Sequence, residues 1–308
     1  MATGRAIKNR IRSTQNIRQI TQAMEAVSAV KMRKSEASAI KGRPFALYAL
    51  SILKHIEEKL GEIPRKSSSL FDIRDGGKNL YVIITSDKGL AGSFNSNVIR
   101  KSESILKEHS NSDIIAIGKR GRDYFNRKGS NVIFNFEGIG DFAELFEVEP
   151  ISKKIISLFE NKTYDRVSII YTNFLSALKQ EVVVRPLLPL QADILKKVIE
   201  NIIPETGKFS ELRKSTLENS LDYIFEPNAE ELVKELVPTL VEIEVLHAVL
   251  EANASEHSSR MIAMKNASEN AKDMIGTLTI LFNKTRQAQI TKELIEITSG
   301  KEALENQN

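Results

Sequence analysis

The sequence predicts an α/β protein with long helices at both ends, and two observations support this. Glycine and proline are absent between Arg5 and Lys41 and rare after Pro238, whereas they punctuate the middle of the 308-residue chain. The net charge of +4 is also unevenly distributed: residues 1–60 carry +8, 61–210 carry +3 and 211–308 carry −7. Helical ends of opposite charge favour lying side by side, so we expect an antiparallel coiled coil of the N- and C-terminal helices.

The N-terminal helix has an apolar stripe that we expect to be buried. Its members recur in steps of three, four or six residues and keep to one helical face. They are Ile7, Ile11, Ile17, Ile20, Met24, Val27 and Val30. The stripe is too narrow to stabilise a helix alone, which again favours pairing with a second helix.

The C-terminal helix is predicted to begin after Pro227, with Asn228 as its N-cap, and to be kinked or interrupted at Pro238. Its expected seam alternates steps of three and four, as in a coiled coil. That seam comprises Met264, Ala267, Ala271, Met274, Leu278, Leu281, Thr285 and Ala288. This helix is also the longer one, so its end should outrun its partner. An apolar tip there, with Ile290 and Leu294, would need an enclosing partner.

The central region alternates short apolar runs with helical segments. We expect strands at 80–85, 113–117, 131–134, 166–171 and 181–185, and helices at 95–108 and 119–127. Strands separated by helices form a mainly parallel sheet, and the last two are close enough in sequence to be antiparallel. The prediction is therefore a central Rossmann-like α/β domain.

Catalytic and ligand-binding motifs are scarce. Neither G-x-G-x-x-G after a strand nor G-x-x-x-x-G-K-[S/T] occurs, so the domain lacks a phosphate-binding motif, although a nonstandard nucleotide site stays open. The four histidines form no H-E-x-x-H pattern, and cysteine is absent, which excludes disulfides and thiolate metal sites. We therefore expect no catalytic residue, no cofactor and no metal. No apolar run is long enough for a direct membrane span, and no signal peptide is visible.

Three segments resemble one protein family, the gamma subunit of F-type ATP synthases. The first runs from Ile7 to Met24 and on through 31–34, the second covers 85–97, and the third covers 254–267 together with 283–300. They lie in the family's order and reach both ends of the chain. The tail after Gly300 departs from the family, since Lys301 and Glu302 replace small apolar residues.

The resemblance implies a central rotor shaft that couples ion flow through the membrane sector to conformational change at catalytic sites on beta subunits. The implied partners are the alpha3beta3 hexamer of alpha and beta subunits, the epsilon subunit and the membrane rotor c-ring. The implied location is peripheral, on the cytoplasmic face of the bacterial cell membrane. Thiol regulation is excluded because the chain has no cysteine.

The resemblance also implies which residues lie at subunit interfaces. Arg286 and Gln287 match positions that bond a beta-subunit loop, and Lys88 matches a loop facing an acidic segment of beta. Phe225 lies in a segment that resembles the base near epsilon and the rotor ring. The complete set implied by the resemblance is Met24, Lys88, Arg260, Arg286, Gln287, Thr291 and Phe225.

The predicted domain boundaries are a coiled-coil helix over 1–60, a central domain over 78–190, a connecting segment over 191–227, a second coiled-coil helix over 228–300 and a tail over 301–308.

Two rival functions stay open. A nucleic-acid-binding coiled coil would use the basic residues from Arg5 to Arg18, but no aromatic stacking residue lies among them, so we expect no nucleic acid partner. A nucleotide-dependent enzyme would show turnover by the chain alone.

Overall fold

The computed structural model describes residues 4–60, 68–74, 76–190 and 228–305. Its elements are α1 (Gly4–Leu60), a short 3-10 helix (Ser69–Phe71), β1 (Asn79–Ile84), α2 (Phe94–Glu108), β2 (Ser112–Ile117), α3 (Lys119–Arg127), β3 (Val132–Phe136), α4 (Leu145–Glu160), β4 (Arg166–Phe174), β5 (Gln180–Leu188) and α5 (Ala229–Glu305). Two long terminal helices and a central mixed sheet confirm the predicted fold class. The predicted connecting segment, 191–227, lies outside the described residues.

The chain divides into two compact units. The helical unit contains residues up to Ser28 together with those from Arg260 onward, and the central unit contains Ala29–Ser259. Both α1 and α5 continue from one unit into the other.

The central unit is built on a five-stranded sheet in the order β3-β2-β1-β4-β5. The first four strands are parallel and β5 is antiparallel to β4. Alternate β1 residues enter two separate cores: Leu80 and Val82 join one with α4 and α5, whereas Ile83 joins the other with Val98 of α2 and Phe125 of α3. Helices cover both faces of the sheet, which explains why β1 and β2 are almost continuously apolar.

Helix α4, like the short 3-10 helix, was not predicted by our sequence analysis. Its apolar residues Val148, Ile151, Ile155 and Phe159 are buried at helical spacing. Pro150 interrupts this pattern and removes one backbone donor, which normally argues against a helix interior. The overlooked signal was the pair of glutamates three residues apart at the start of the helix. There the N–H of Glu144 donates to Oε2 of Glu147 at 2.9 Å.

Helix α5 begins where the sequence predicts it to begin. The N–H of Glu231 donates to Oδ1 of Asn228 at 2.8 Å, so Asn228 is an N-cap. The helix then continues through Pro238 without interruption. Val237 and Val241, which flank this proline, are buried in the core of the central unit, and tertiary packing therefore outweighs the missing hydrogen bond.

The helical unit is an antiparallel pair. Thr14 Oγ1 lies 4.0 Å from Sδ of Met274, and a Cβ placed on Gly4 would lie 3.9 Å from Cε2 of Phe282. Moving toward the start of α1 therefore means moving toward the end of α5. No helix among the described residues combines the length and apolar content that crossing a bilayer requires.

Candidate subunit-interface surface

The buried face of α1 differs from the predicted stripe. Within the helical unit, its buried positions follow a seven-residue repeat at Ile7, Thr14, Thr21 and Ser28. Ile17, Ile20, Val27 and Val30, which were expected to be buried, are instead exposed. The prediction was wrong for these four residues because short hydroxyl-bearing side chains, rather than large apolar ones, allow the helices to approach closely.

The seam of α5 is shifted by one residue at every second position. Met264, Ala271, Leu278 and Thr285 are buried or half-buried as expected. The intervening positions are Ser268, Ile275 and Phe282. Of the expected residues there, Ala267 is half-buried, whereas Met274, Leu281 and Ala288 are exposed. Both registers alternate threes and fours, so the sequence pattern could not distinguish them on a helix with apolar residues on a wide face.

As a result, the helical unit presents apolar side chains on its outer surface. Monomeric proteins rarely expose contiguous apolar surface, and such surface usually marks an interaction site. Among the described residues of the helical unit, the exposed large apolar ones are Ile17, Ile20, Val27, Met274, Ile280, Leu281, Ile290, Leu294, Ile295 and Ile297. We call this set the outer apolar surface.

The end of α5 has no covering layer among the described residues. Every side chain from 286 to 299 is exposed, including those of Arg286, Gln287 and Thr291. This run continues past Phe282, which lies beside Gly4 near the start of α1. Polar residues such as Arg286 and Gln287 therefore share this end with apolar ones such as Ile290 and Leu294.

Met24 and Arg260 lie on the two helices of the same unit but away from the end of α5. Met24 is half-buried on α1, and Arg260 is only 8% exposed on α5. Arg260 precedes Arg286 by 26 positions of continuous helix, a separation of roughly 39 Å. The structure therefore divides the expected interface residues of the helical unit into two groups rather than one site.

Lys88 belongs to the central unit, on an exposed loop at the carboxyl end of β1. The loop is fixed from within: the Ser86 hydroxyl donates to Lys88 O at 2.6 Å, and the Ser86 N–H donates to Oδ1 of Asn95 at 2.9 Å. These bonds hold the backbone while Lys88 itself stays exposed. Phe225, the remaining expected interface residue, lies outside the described residues.

The carboxyl end of the parallel sheet is where such folds bind nucleotides, and here the chain's own groups fill it. The carboxylate of Asp87 accepts the N–H of Lys119, at the start of α3, at 2.9 Å and the N–H of Gly138 at 2.8 Å. Gly118 has φ +91°, and a Cβ there would lie 2.1 Å from Thr85 O. Backbone donors that could bind a phosphate already have a carboxylate partner, which argues against the nucleotide-enzyme alternative.

A cluster of ionisable groups between β4, β5 and α5, in which Tyr171, His247 and Glu251 are buried, was not predicted. The Tyr171 hydroxyl donates to Oε2 of Glu251 at 2.8 Å, and His247 Nε2 lies 3.6 Å from the other oxygen of Glu251. The Arg185 guanidinium lies 5.3 Å from the centre of the Tyr171 ring. Glu244 is one turn away from His247, and burial raises its pKa to about 7. The available signal was the spacing of Glu244, His247 and Glu251 on an otherwise apolar helical face.

Asp141 was also missed, although it contacts both long helices. Its carboxylate lies 2.6 Å from Nζ of Lys31 on α1 and 2.9 Å from Nε2 of His257 on α5. No sequence spacing indicates this, since the partners are 110 and 116 residues away.

Comparison with known proteins identifies the family. A family model described as ATP synthase matches residues 3–304. The ATP synthase gamma chain of Moorella thermoacetica is 38% identical over 305 residues, covering 99% of this chain and 100% of the relative. The gamma chain of Pelotomaculum thermopropionicum is also 38% identical, with coverage of 99% and 100%. The chain belongs to the ATP synthase gamma chain family.

Solved structures agree with this membership. The central stalk and c-ring structure of the Tetrahymena thermophila mitochondrial ATP synthase contains a chain that is 26% identical, with a TM-score of 0.59, covering 81% of this chain and 99% of that one. A chain of the Euglena gracilis mitochondrial enzyme has a TM-score of 0.64 at 20% identity, covering 98% and 94%. The second likeness shows a shared fold. The outer apolar surface is thus a surface of an ATP synthase gamma chain, and its exposure in the isolated subunit agrees with membership of a larger complex.

Proposed function

We propose that this gamma chain is the rotating central shaft of an F-type ATP synthase and supplies no catalytic group itself. Ion flow through the membrane sector turns it, and its rotation changes the conformation of catalytic sites on the beta subunits. ATP hydrolysis would drive the same rotation in reverse. Family membership supports this role, and so does the carboxyl end of the sheet, where the N–H groups of Lys119 and Gly138 already donate to the carboxylate of Asp87.

The outer apolar surface is the observation that carries the proposal. Side chains such as Ile20 and Leu281 face outward on a helical pair whose seam is already filled by other residues. Burying them requires a partner that surrounds the pair, and an alpha3beta3 hexamer has the enclosing form that this requires. We assign the epsilon subunit and the membrane rotor c-ring to the central unit and the segment near Phe225.

The mechanism follows from symmetry. Three identical beta subunits around one asymmetric shaft contact different faces of it, so each is biased toward a different conformation and nucleotide affinity. A turn of the shaft exchanges those three states. The proposed interface positions are Met24, Lys88, Arg260, Arg286, Gln287, Thr291 and Phe225.

These partners also define a location. A chain that joins the hexamer to a membrane ring is peripheral, and we assign it to the cytoplasmic face of the bacterial cell membrane. Fractionation tests this assignment, because the chain should sediment with membranes and be released by treatments that detach peripheral proteins.

Copurification is the first test of the proposed function. The full chain, produced with alpha and beta subunits, should purify as one complex with them, and by itself it should hydrolyse no ATP. Failure to associate with the hexamer would refute the shaft assignment. Turnover by the chain alone would favour an enzyme, and salt-sensitive DNA binding by the chain alone would favour the nucleic-acid alternative.

Replacing an exposed residue at the end of α5 gives a second test. Arg286→Ala should weaken coupling between ATP hydrolysis and ion pumping, because it removes a multi-donor guanidinium from the proposed beta contact. The melting temperature of the isolated chain should stay unchanged, since Arg286 is exposed. Lys284→Ala, on a neighbouring exposed position, is the matched control. An equal loss of melting temperature and coupling in Arg286→Ala would contradict the assignment.

A further inference from the structure

The loop between β3 and α4 binds both long helices through one aspartate. Asp141 Oδ2 accepts a hydrogen bond from Nζ of Lys31 on α1 at 2.6 Å. Asp141 Oδ1 lies 2.9 Å from Nε2 of His257 on α5, a distance at which a ring N–H donates to the carboxylate. All three residues lie within the central unit, so a single carboxylate connects α1, α5 and the loop there.

Backbone contacts at the same place reinforce the connection. The Ser35 hydroxyl of α1 donates to Asp141 O at 2.8 Å. The Asn253 amide of α5 donates to Gly140 O at 2.9 Å. Each helix therefore binds the loop through two residues, one at the carboxylate and one at the main chain.

The opposite side of this stretch of α5 is fixed to the hairpin of β4 and β5. Ser255 donates to Thr172 O at 3.1 Å, and Ser258 donates to Ala177 O at 2.5 Å. Over little more than one helical turn, α5 is thus held by the loop on one side and by the hairpin on another. A helix held in this way cannot turn about its own axis without breaking several hydrogen bonds.

The Asp141 carboxylate stays charged in this setting. Hydrogen bonding from His257, and then from Lys31, holds its pKa well below the usual range despite partial burial. The unfolded-state pKa of an aspartate is higher, so the ionic contact is fully present above about pH 4 and is lost only as the pH falls further. The Asp141 carboxylate is therefore charged throughout the physiological pH range.

We propose that Asp141 is a torsional clamp that fastens both shaft helices to the central unit, so that torque applied to that unit turns α1 and α5 together. This inference rests on the proposed function of the chain as a rotating shaft. Asp141 is a positioning residue, because it acts through the two helices and needs no contact with nucleotide or ions.

The clamp should matter more for coupling than for folding. The side chains of Lys31 and Asp141 are 36% and 37% exposed, and ion pairs with this exposure add little to stability. The central unit also retains its sheet and two apolar cores without them. Under torque, however, a helix that has lost its attachment can slip relative to its partner, and part of each driven step is lost.

The test compares full complexes carrying the wild-type chain, Asp141→Ala, Lys31→Met or the control Asp123→Asn. Asp123 also forms an ion pair, but with Arg122 of the same helix, α3, so its loss removes a charge without disconnecting elements. ATP hydrolysis and ATP-driven ion pumping are measured on the same membranes, and the melting temperature is measured on each isolated chain. Asp141→Ala should lower ions pumped per ATP by about two- to tenfold, with a smaller loss in Lys31→Met. Asp123→Asn should match wild type.

The outcomes separate the two proposals. If the wild-type chain does not restore pumping, the shaft function itself fails. If wild type pumps and Asp141→Ala pumps equally well per ATP, the clamp is refuted. A loss of pumping that follows an equal loss of melting temperature indicates a merely structural role and also overturns it. If Asp141→Ala does not assemble, Lys31→Met decides, because it retains the His257 contact, and an unchanged ratio there refutes the clamp.

Discussion

At the scale of single residues, hydroxyl groups determine which face of α1 is buried. Thr14, Thr21 and Ser28 each donate to a backbone carbonyl of their own helix, at 2.9, 2.9 and 2.7 Å. These bonds satisfy the hydroxyls internally, so the residues can line a seam as small, effectively apolar groups. A hydropathy pattern assigns these residues to the polar face. This explains why the sequence placed Ile17 and Val27 in the seam instead.

Glu244 provides a residue-scale prediction about pH. Burial, with repulsion from Glu251, raises its pKa to about 7 from 4.5, whereas Arg185 opposes the shift. The native state therefore retains a proton that the unfolded state has released, and stability should fall as the pH rises from about 4.5 to about 7. Glu244→Gln should remove this dependence and stabilise the full chain by about 1–3 kcal/mol at about pH 8.

Denaturant unfolding of the wild-type chain and of Glu244→Gln across this pH range checks the prediction. Glu235→Gln is the matched control, because Glu235 lies on the same helix but is exposed. The variants and wild type should agree at low pH and only Glu244→Gln should diverge at high pH. Parallel pH profiles for wild type and Glu244→Gln would show that Glu244 is not the responsible group.

At the scale of elements, the strands were predictable and the helix seams were not. Apolar runs such as 80–84 predict strands because both faces of a parallel sheet are buried, and the structure contains β1 there. Helix α4 was hidden by Pro150, and the α5 seam was displaced because Met274 and Leu281 are as apolar as Ile275 and Phe282. Sequence gives the period of a helix, but its partner determines which of two adjacent apolar faces is buried.

Two substitutions on α5 separate the seam from the outer apolar surface. Ile275→Ala removes a half-buried seam residue and should lower the stability of the isolated chain by about 1–2 kcal/mol. Leu281→Ala removes an exposed residue of similar size, so it should leave stability within about 0.5 kcal/mol and instead weaken binding to the hexamer. Thermal unfolding and a hexamer-binding titration measure the two effects. The opposite assignment, with Leu281→Ala the more destabilising, would show that the seam has been placed on the wrong face.

At the scale of the whole molecule, local pattern and family resemblance contributed different parts of the account. The positions of glycine and proline, together with the uneven net charge, predict terminal helices on either side of a central α/β domain. This part of the fold follows from the residues alone. Contacts between distant segments could not be predicted in this way. Asp141 with Lys31 and His257, and Tyr171 with Glu251, join residues at least 80 positions apart and have no local signature. The proposed interface residues, such as Arg286, came from resemblance, because an exposed arginine alone does not indicate its partner.

Rotation is the central claim, and single-molecule observation tests it most directly. The chain has no cysteine, so Lys107→Cys places one thiol on the exposed end of α2 for attachment of a bead. The complex with alpha and beta subunits is then fixed to a surface through the hexamer and supplied with ATP. We predict that the bead turns in one direction with three dwell positions per revolution, one for each beta subunit. A bead that stays still while the same complexes hydrolyse ATP would contradict the account.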